Sequence, residues 1–373
     1  MKIAVNSICK NEIKFLDTWY ESLKDEVDYI TVLDTGSTDG TWEKLQKLSE
    51  KDSKIIIKQQ KINLWRFDVA RNEAMELLPK DADIWISIDL DETFEKGFAE
   101  VLRQHWKSNY TLQALYRYTW NHHEDGSPNH EFTYSKIISN DGKWKWEHPL
   151  HECLSRTEET IYENGQVLNL VDKIHLHHWQ DTSVDRSYYL DLLRIRYEES
   201  QAGIDALYLA RELTFHKKYE EAIDIFTRVT DKETDLKVME RAYCNYMTGC
   251  CYYFLNNRLQ AHNYMLKAIH IEPTYRDPYI DLSRIYIEDQ KYDEAIFWLK
   301  KCLKDTYRHL DWTEVNDVWT YVPYDLLSVA AFNSGNKKDA LLYGSRAVAL
   351  NPSQKLLANL KTINDSLKDK DLV

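Results

Sequence analysis

The chain has 373 residues, more than one hydrophobic core of roughly 250–300 residues serves, so two domains are expected. Its hydrophobic fraction of 43% and charged fraction of 29% exclude a disordered chain. Sixty-one acidic against 48 basic residues give a net charge of −13, which excludes a nucleic-acid coat protein and argues against nucleic acid as a partner.

Taken in chain order, residues 2–8, 29–33, 54–58 and 84–88 read as β-strands. Each ends in a polar turn, and the first three lead into amphipathic stretches rich in helix formers. This is the pattern of a parallel sheet with crossover helices. From about residue 110 to 178 the texture becomes aromatic and β-branched, with runs at 115–120, 132–138 and 167–176 broken by the turns DGSPN and NDGK. A mixed or antiparallel extension of the sheet is expected there. Beyond residue 185 helical periodicity takes over and repeats. Aligning Ala222, Ala261, Ala295 and Ala340 places Ala210, Gly249, Ser283 and Ser328 twelve residues earlier, and Val229, Ala268, Cys302 and Ala347 seven residues later. Units are spaced 39, 34 and 45 residues, and Pro273 and Pro352 follow two of them. Small side chains at fixed offsets let antiparallel helices approach closely, and proline ends the second helix. The expected division is 1–182, a linking helix over 183–204, and a helical domain over 205–373. No apolar run approaches the roughly 18 residues of a membrane span, and MKIAVNSICK lacks a signal-peptide core, so a cytoplasmic protein without a span is expected. Six cysteines without a C-x-x-C spacing read as reduced thiols. Twelve Trp and 25 Tyr suit both sugar-stacking surfaces and repeat cores.

Five clusters could carry chemistry. Residues 32–41, VLDTGSTDGT, follow the second strand, where open α/β sheets bind ligands. Asp34 there reads as a ligand to a base or ribose, and Asp39 as a helix cap. Residues 65–72, WRFDVARN, open the third helix: Arg66 and Arg71 could bind phosphate, and Asp68 and Asn72 a base or ribose. The apolar fourth strand ends in Asp89-Leu90-Asp91-Glu92. Strand alternation would direct Asp89 and Asp91 to one side, where a hard divalent cation would relieve their repulsion and neutralise a diphosphate. In residues 144–152, WKWEHPLHE, a carboxylate among aromatic walls could act as general base, with Glu152 or a histidine serving. In HLHHW at 175–179, alternation puts His175 and His177 on one face, and either could complete the metal site. His122-His123-Glu124-Asp125 precedes a Gly-Ser-Pro turn and reads as a solvated loop.

Taken together, ICKNE at 8–12, VLDTGSTDGT at 32–41, WRFDVARN at 65–72, IDLDE at 88–92 and WEHPLHE at 146–152 resemble the family-2 glycosyltransferases of GT-A fold. Within that family they look like bacterial and phage members carrying a C-terminal tetratricopeptide array. The resemblance implies an α/β fold: a GT-A nucleotide-sugar-binding domain with a Rossmann-like mixed sheet, followed by an all-α tetratricopeptide domain. It also implies an inverting transfer of a sugar from a nucleoside diphosphate donor, usually UDP-linked, with Mn or Mg as cofactor. Carried over by residue, Asp34, Asp68 and Arg71, with Asn72, would bind nucleotide. Asp89 and Asp91 would face ribose, diphosphate and metal, Glu152 would be the base, and His177 would stand where many relatives supply a further metal or diphosphate ligand. Thr35 replaces the second aspartate that many relatives carry after strand two, which loosens the inference to uridine.

A repeat array suits a protein or peptide acceptor held on a concave surface, with a glycan such as a surface polysaccharide, a small metabolite and a modified nucleobase as the other candidates; the aromatic-rich repeats also offer a homodimer surface. Two other readings belong to different classes. In one the repeats act as an interaction scaffold and the sugar-nucleotide domain is vestigial, a reading that gives no reason for Asp89, Asp91 and Glu152 to coexist. In the other the chain is a nucleotidyltransferase, which the absence of a glycine-rich phosphate loop after the first strand disfavours.

Overall fold

A computed structural model describes residues 1–108, 110–156, 166–181, 186–231, 235–304 and 307–368. The chain divides into two compact units, Met1–Glu199 and Ser200–Val373. The expected boundary at 182/183 lies outside the described residues.

In the first unit the strands are β1 (Ile3–Cys9), β2 (Tyr29–Asp34), β3 (Ile55–Gln59) and β4 (Ile84–Ser87), connected by α1 (Leu16–Leu23), α2 (Thr41–Lys51) and α3 (Phe67–Met75). They lie in the order β3-β2-β1-β4, all parallel, with β1 central. β1 and β4 are buried at every position, as strands covered on both faces must be. Asn6 and Ser7 are the polar residues of β1, and Asn6 is the one that bonds across the layers. Its amide donates to Thr31 Oγ1 at 2.8 Å and to the Ala74 carbonyl at 2.7 Å, tying the sheet to α3 without an orphaned donor. Parallel pairing brings Cys9, Asp34 and Ser87 to the carboxyl edge of the sheet, the edge at which such folds bind ligands.

The extension is mixed, as expected. β6 (Thr111–His122) and β7 (Pro128–Ser139) form an antiparallel pair joined to β4 through β7. The apolar stretch 167–176 is two strands rather than one. β10 (Gln166–Asn169) and β11 (His175–His178) both pair in parallel with β6, and between them the Lys173 and Ile174 amides turn back to the Leu170 carbonyl. β11 also pairs antiparallel with β5 (Glu92–Phe94). Beside the sheet, β8 (Trp144–Glu147) and β9 (Cys153–Arg156) form a separate hairpin. Trp146 packs edge-on to Trp85 at 6.2 Å, over Ala4, Ala82 and Ile138. Between β5 and β6 lies α4 (Phe98–His105), and α5 (Tyr189–Ser200) follows β11.

The second unit stacks helix pairs: α6 (Gly203–Phe215) with α7 (Tyr219–Asp231), α8 (Val238–Phe254) with α9 (Arg258–Ile271), α10 (Asp277–Glu288) with α11 (Tyr292–Cys302), and α12 (Val322–Asn333) with α13 (Lys337–Leu350). All the small or β-branched positions picked out by the repeat alignment are buried. Their need for smallness is visible in α8, where a Cβ on Gly249 would meet the Ala261 carbonyl oxygen at 3.1 Å and Met265 Cγ at 3.0 Å. The pairs turn through a single residue of positive φ: Lys217, Asn256, Gln290 and Gly335. These positions are separated by the same 39, 34 and 45 residues as the aligned alanines, so the helix-ending left-handed turn repeats with the packing. Asn257 and Asn336 then cap α9 and α13 by accepting the amides of Gln260 and Asp339. A 3₁₀ turn at Asn316–Trp319 lengthens the last spacing, and α14 (Gln354–Lys368) closes the array. Among the described residues no helix is long and apolar enough to cross a membrane.

Candidate active site

Three loops meet at the carboxyl edge of β1, β2 and β4. Asn11, with φ of 62°, accepts the Thr38 amide on Oδ1 at 2.7 Å, while its own amide donates to Ser37 Oγ at 2.8 Å. Asp39 accepts from Thr41 N and Oγ1 at 3.0 and 2.6 Å, so it holds the first residue of α2 from the position before the N-cap, Gly40, rather than as the cap expected of it. Asp34 is fully buried. Its Oδ1 accepts from the amides of Gly36 and Ser37 and from Gln59 Nε2, at 2.9 to 3.0 Å, and its Oδ2 accepts from the Cys9 thiol at 3.6 Å. Burial works to raise its pKa, but the bonds from Ser37, Gln59 and Gly36 prevail and hold it below the ordinary carboxylate value. Asp34 therefore shapes the 34–41 loop from inside, whatever it presents to a nucleotide.

Arg71, on the inner face of α3, is the hub. It is 4% exposed, and its Nε donates to Glu152 Oε1 at 2.5 Å. Nη1 and Nη2 grip Asp89 Oδ1 and Oδ2 at 3.0 Å each, Nη1 also reaches Ser87 Oγ at 3.2 Å, and the guanidinium lies 5.2 Å from the Trp146 ring. One planar cation thus fixes a carboxylate after β4 and another on the 147–152 loop. Glu152 Oε2 accepts no hydrogen bond among the described residues. The loop bearing Glu152 is held under backbone strain, His148 and His151 having φ of 78° and 51°. It is anchored by Phe67 N to the Pro149 carbonyl at 3.0 Å and by Arg196 Nη1 to the carbonyls of Leu150 and His151 at 2.7 and 2.5 Å. Asn72 adds a reciprocal pair, its Nδ2 donating to the Trp146 carbonyl and its Oδ1 accepting the Trp146 amide, both at 2.9 Å. Its side-chain amide thereby holds β8 to α3, a role that spacing alone did not indicate. Asp68 is bound by Arg66 through two nitrogens, at 2.9 and 3.1 Å, and Arg66 also pairs with Glu199 at 2.6 Å.

The acidic segment does not continue the strand. β4 stops at Ser87, and the Glu92 amide bonds back to the Asp89 carbonyl at 3.1 Å, so Asp89 and Asp91 sit in a turn to which strand alternation does not apply. Asp89 goes to Arg71, whereas Asp91 Oδ2 lies 3.1 Å from Nε2 of His178. This corrects the histidine assignment. The imidazole beside Asp91 belongs to His178, not His177 or His175, because His178 shares the parity of buried Leu176 while 175 and 177 point to the opposite face of β11. That parity was the signal available in the sequence. His178 donates from Nδ1 to the Trp120 carbonyl at 2.8 Å and stacks on Trp120 at 4.6 Å, which leaves Nε2 to face Asp91. Two ligands about 2.1 Å from one ion at near right angles stand about 3.0 Å apart, so the Oδ2–Nε2 gap and the carboxylate-imidazole donor set fit a divalent cation.

Two further groups belong here. Lys136 on β7 is buried, its Nζ 4.9 Å from the Tyr134 ring. Burial works against its charge, but Tyr134, Asp89 and Glu152 outweigh this and hold it protonated. An isolated lysine inside a β-run carries no local mark of such a role. Glu12 is raised to about 8 by burial first, then by Asp91 and Asp89, with Asp181 adding and Lys14 opposing. Glu92 is raised to about 7 by burial and Asp89; it accepts from Tyr118 OH at 2.7 Å and from the Asp89 amide at 2.9 Å.

These shifts set a pH dependence. A carboxyl that keeps its proton in the folded chain while the unfolded chain loses it above 4.5 makes stability fall as pH rises, until the folded group has ionised. His178 has the same sign: burial lowers it, the Asp91 bond prevails and raises it, and its contribution, complete below 6.5, is lost as pH rises through the folded value. Asp34 and Asp89, which are lowered, act below 3.8, and His122 and His175, lowered chiefly by burial, act below 6.5. In chelator, the melting temperature is therefore expected to fall between pH 6.5 and 8, and less steeply in Glu12→Gln. Equal slopes in the two proteins would show that Glu12 does not hold the proton.

Residues 5–160 match the family model described as glycosyl transferase family 2, and residues 277–304 match a tetratricopeptide repeat. The first unit carries a family-2 glycosyl transferase domain. Within the matched span of that domain lie Asp34, Asp68, Arg71, Asn72, Asp89, Asp91 and Glu152, while His178 stands beyond it. The second match is α10 and α11, one of the helix pairs described above. A domain of this family implies a nucleotide-sugar donor, and the repeats indicate protein interaction. Solved structures similar to part of the chain include MamA residues 41 to the end from Desulfovibrio magneticus RS-1, at 15% identity and TM-score 0.37, covering 46% of this chain and 88% of that one. YrrB, a TPR protein with an unusual peptide-binding site, aligns at 15% identity and TM-score 0.36 over 47% of this chain and 83% of that one. The N-terminal domain of stress-induced protein-1 from C. elegans aligns at 15% identity and TM-score 0.30, over 35% and 99%. Among curated proteins none matches.

Proposed function

We propose that the chain is a metal-dependent, inverting glycosyltransferase that moves a sugar from a nucleoside diphosphate donor, UDP-linked, to a nucleophile on a protein or peptide presented by the repeats. The observation that carries this reading is the placing of two chemically different groups at one sheet edge: the Asp91–His178 pair, 3.1 Å apart, and Glu152, fixed through Oε1 by Arg71 with Oε2 left over. Asp91 and His178 would hold Mn or Mg, which supplies positive charge to a leaving diphosphate. Glu152 Oε2 takes the proton of the acceptor as the acceptor's lone pair attacks the anomeric carbon; the bond from that carbon to the diphosphate oxygen breaks, and its electrons leave with the diphosphate. Arg71 orients Glu152 and Asp89 alike, and Lys136 adds a second buried cation beside them. Asp68, secured by Arg66, stands at the start of α3 as a polar group for the nucleotide.

The test needs no acceptor. The full chain is incubated with UDP-sugars and MnCl₂, and released UDP is measured against an EDTA control. Hydrolysis of at least one donor, abolished by the chelator, is expected; release that is absent with every donor, or unaffected by EDTA, overturns the reading.

A further inference from the structure

On the face of β11 turned away from Asp91, the side chains of Glu95, His175 and His177 converge. Glu95 Oε1 is 3.2 Å from His175 Nδ1 and 3.3 Å from His177 Nε2, and single ligand atoms of the three residues all lie within 4.8 Å of one another. Four donors placed tetrahedrally about 2.0–2.1 Å from zinc stand about 3.3 Å apart, so two edges of such a polyhedron are already present. Two imidazoles converge on one carboxylate oxygen whose side chain is 63% exposed, an arrangement that hydration of Glu95 alone does not call for.

The other ring nitrogens are held as those of metal-binding histidines are. His175 Nε2 is 2.7 Å from Thr119 Oγ1 and 3.5 Å from Glu131 Oε1, and His177 Nδ1 is 3.0 Å from His122 Nε2. His122 was expected in a solvated loop. It lies instead at the end of β6, stacked on Trp179 at 4.4 Å, with its side chain reaching His177 of β11. The cluster is thus built by three neighbouring strands, β5, β6 and β11, whose pairing fixes the spacing of the donors.

We propose that Glu95, His175 and His177 bind a divalent first-row transition ion, zinc by donor chemistry, at a site separate from the Asp91–His178 pair. Two imidazoles among three protein ligands favour zinc over magnesium, calcium or manganese, whose ligand sets are mostly oxygen. The fourth position faces solvent beside the exposed Glu95, as in zinc sites that retain a water.

The experiment is calorimetric titration of the chelator-stripped full chain with ZnCl₂, paralleled by the visible spectrum of Co(II). The spectrum reports tetrahedral nitrogen-oxygen ligation independently of catalysis. A tetrahedral Co(II) spectrum and a zinc isotherm retained in Asp91→Asn are expected, with both weakened at least about 100-fold in His177→Ala and His175→Gln. His122→Ala, which alters only the support of His177, is expected to weaken zinc by about 10–100-fold, and it decides the matter if either ligand variant misfolds. Binding unchanged in the His122 and His177 variants, loss of zinc in Asp91→Asn, or no zinc binding by the native chain would each overturn the proposal.

Discussion

Replacing Asp91 by alanine is expected to lower manganese-dependent UDP-sugar hydrolysis by at least about 100-fold, since a bound cation stabilises the leaving charge by several kcal/mol and each 1.4 kcal/mol is about tenfold in rate. His178→Ala should fall in the same direction by a smaller factor, because one ligand remains. The split between binding and turnover separates the two sides of the site. Asp91→Ala weakens diphosphate binding and turnover together. Glu152→Gln keeps an acceptor oxygen for Arg71 and should leave donor binding in place while lowering the rate of transfer by about 10²–10⁴. Rates within threefold of wild type in both variants would remove Asp91 and Glu152 from the chemistry.

Arg71→Ala is expected to be the most destabilising substitution at this site. The side chain is 4% exposed and neutralises Glu152, itself 9% exposed, and Asp89, which is 34% exposed. Removing it leaves two facing carboxylates without a cation other than Lys136, and breaking such a pair costs about 3 kcal/mol, the low end of the range for buried pairs because Asp89 is partly solvated. For a unit of this size that lowers the melting temperature by about 6–12 °C. Arg71→Lys preserves charge but cannot make the fork that spans Glu152, Ser87 and Asp89, so it should recover part of the stability and little of the activity. A melting temperature within 1 °C of wild type for Arg71→Ala, read by circular dichroism, would contradict the hub described above.

Much of the architecture was legible in the chain because it is written in short-range periodicities. The four parallel strands, the mixed extension and the helix pairs follow from apolar runs and from small residues at fixed offsets. The role of Asp39 at the start of α2 is likewise local chemistry. The 167–176 run was misread as one strand because a turn at Leu170–Ile174 is made of apolar residues and carries no Gly or Pro. The hold of Asn72 on the backbone of Trp146 was not legible, because an amide at a helix start carries no local mark of a partner 74 residues away.

By itself the sequence determined that an α/β unit precedes a helical array, that carboxylates crowd the end of the fourth strand, and that another carboxylate stands in a proline-containing loop. All of these depend on neighbours within a turn or a strand. Only the tertiary structure decided that Arg71 joins Glu152 to Asp89, that Lys136 and Glu12 attend them, and that His178 rather than His177 meets Asp91. The physical reason is that these partners stand on different strands and loops. Which groups meet is set by strand register, and a shift of one residue carries a side chain through to the opposite face of the sheet.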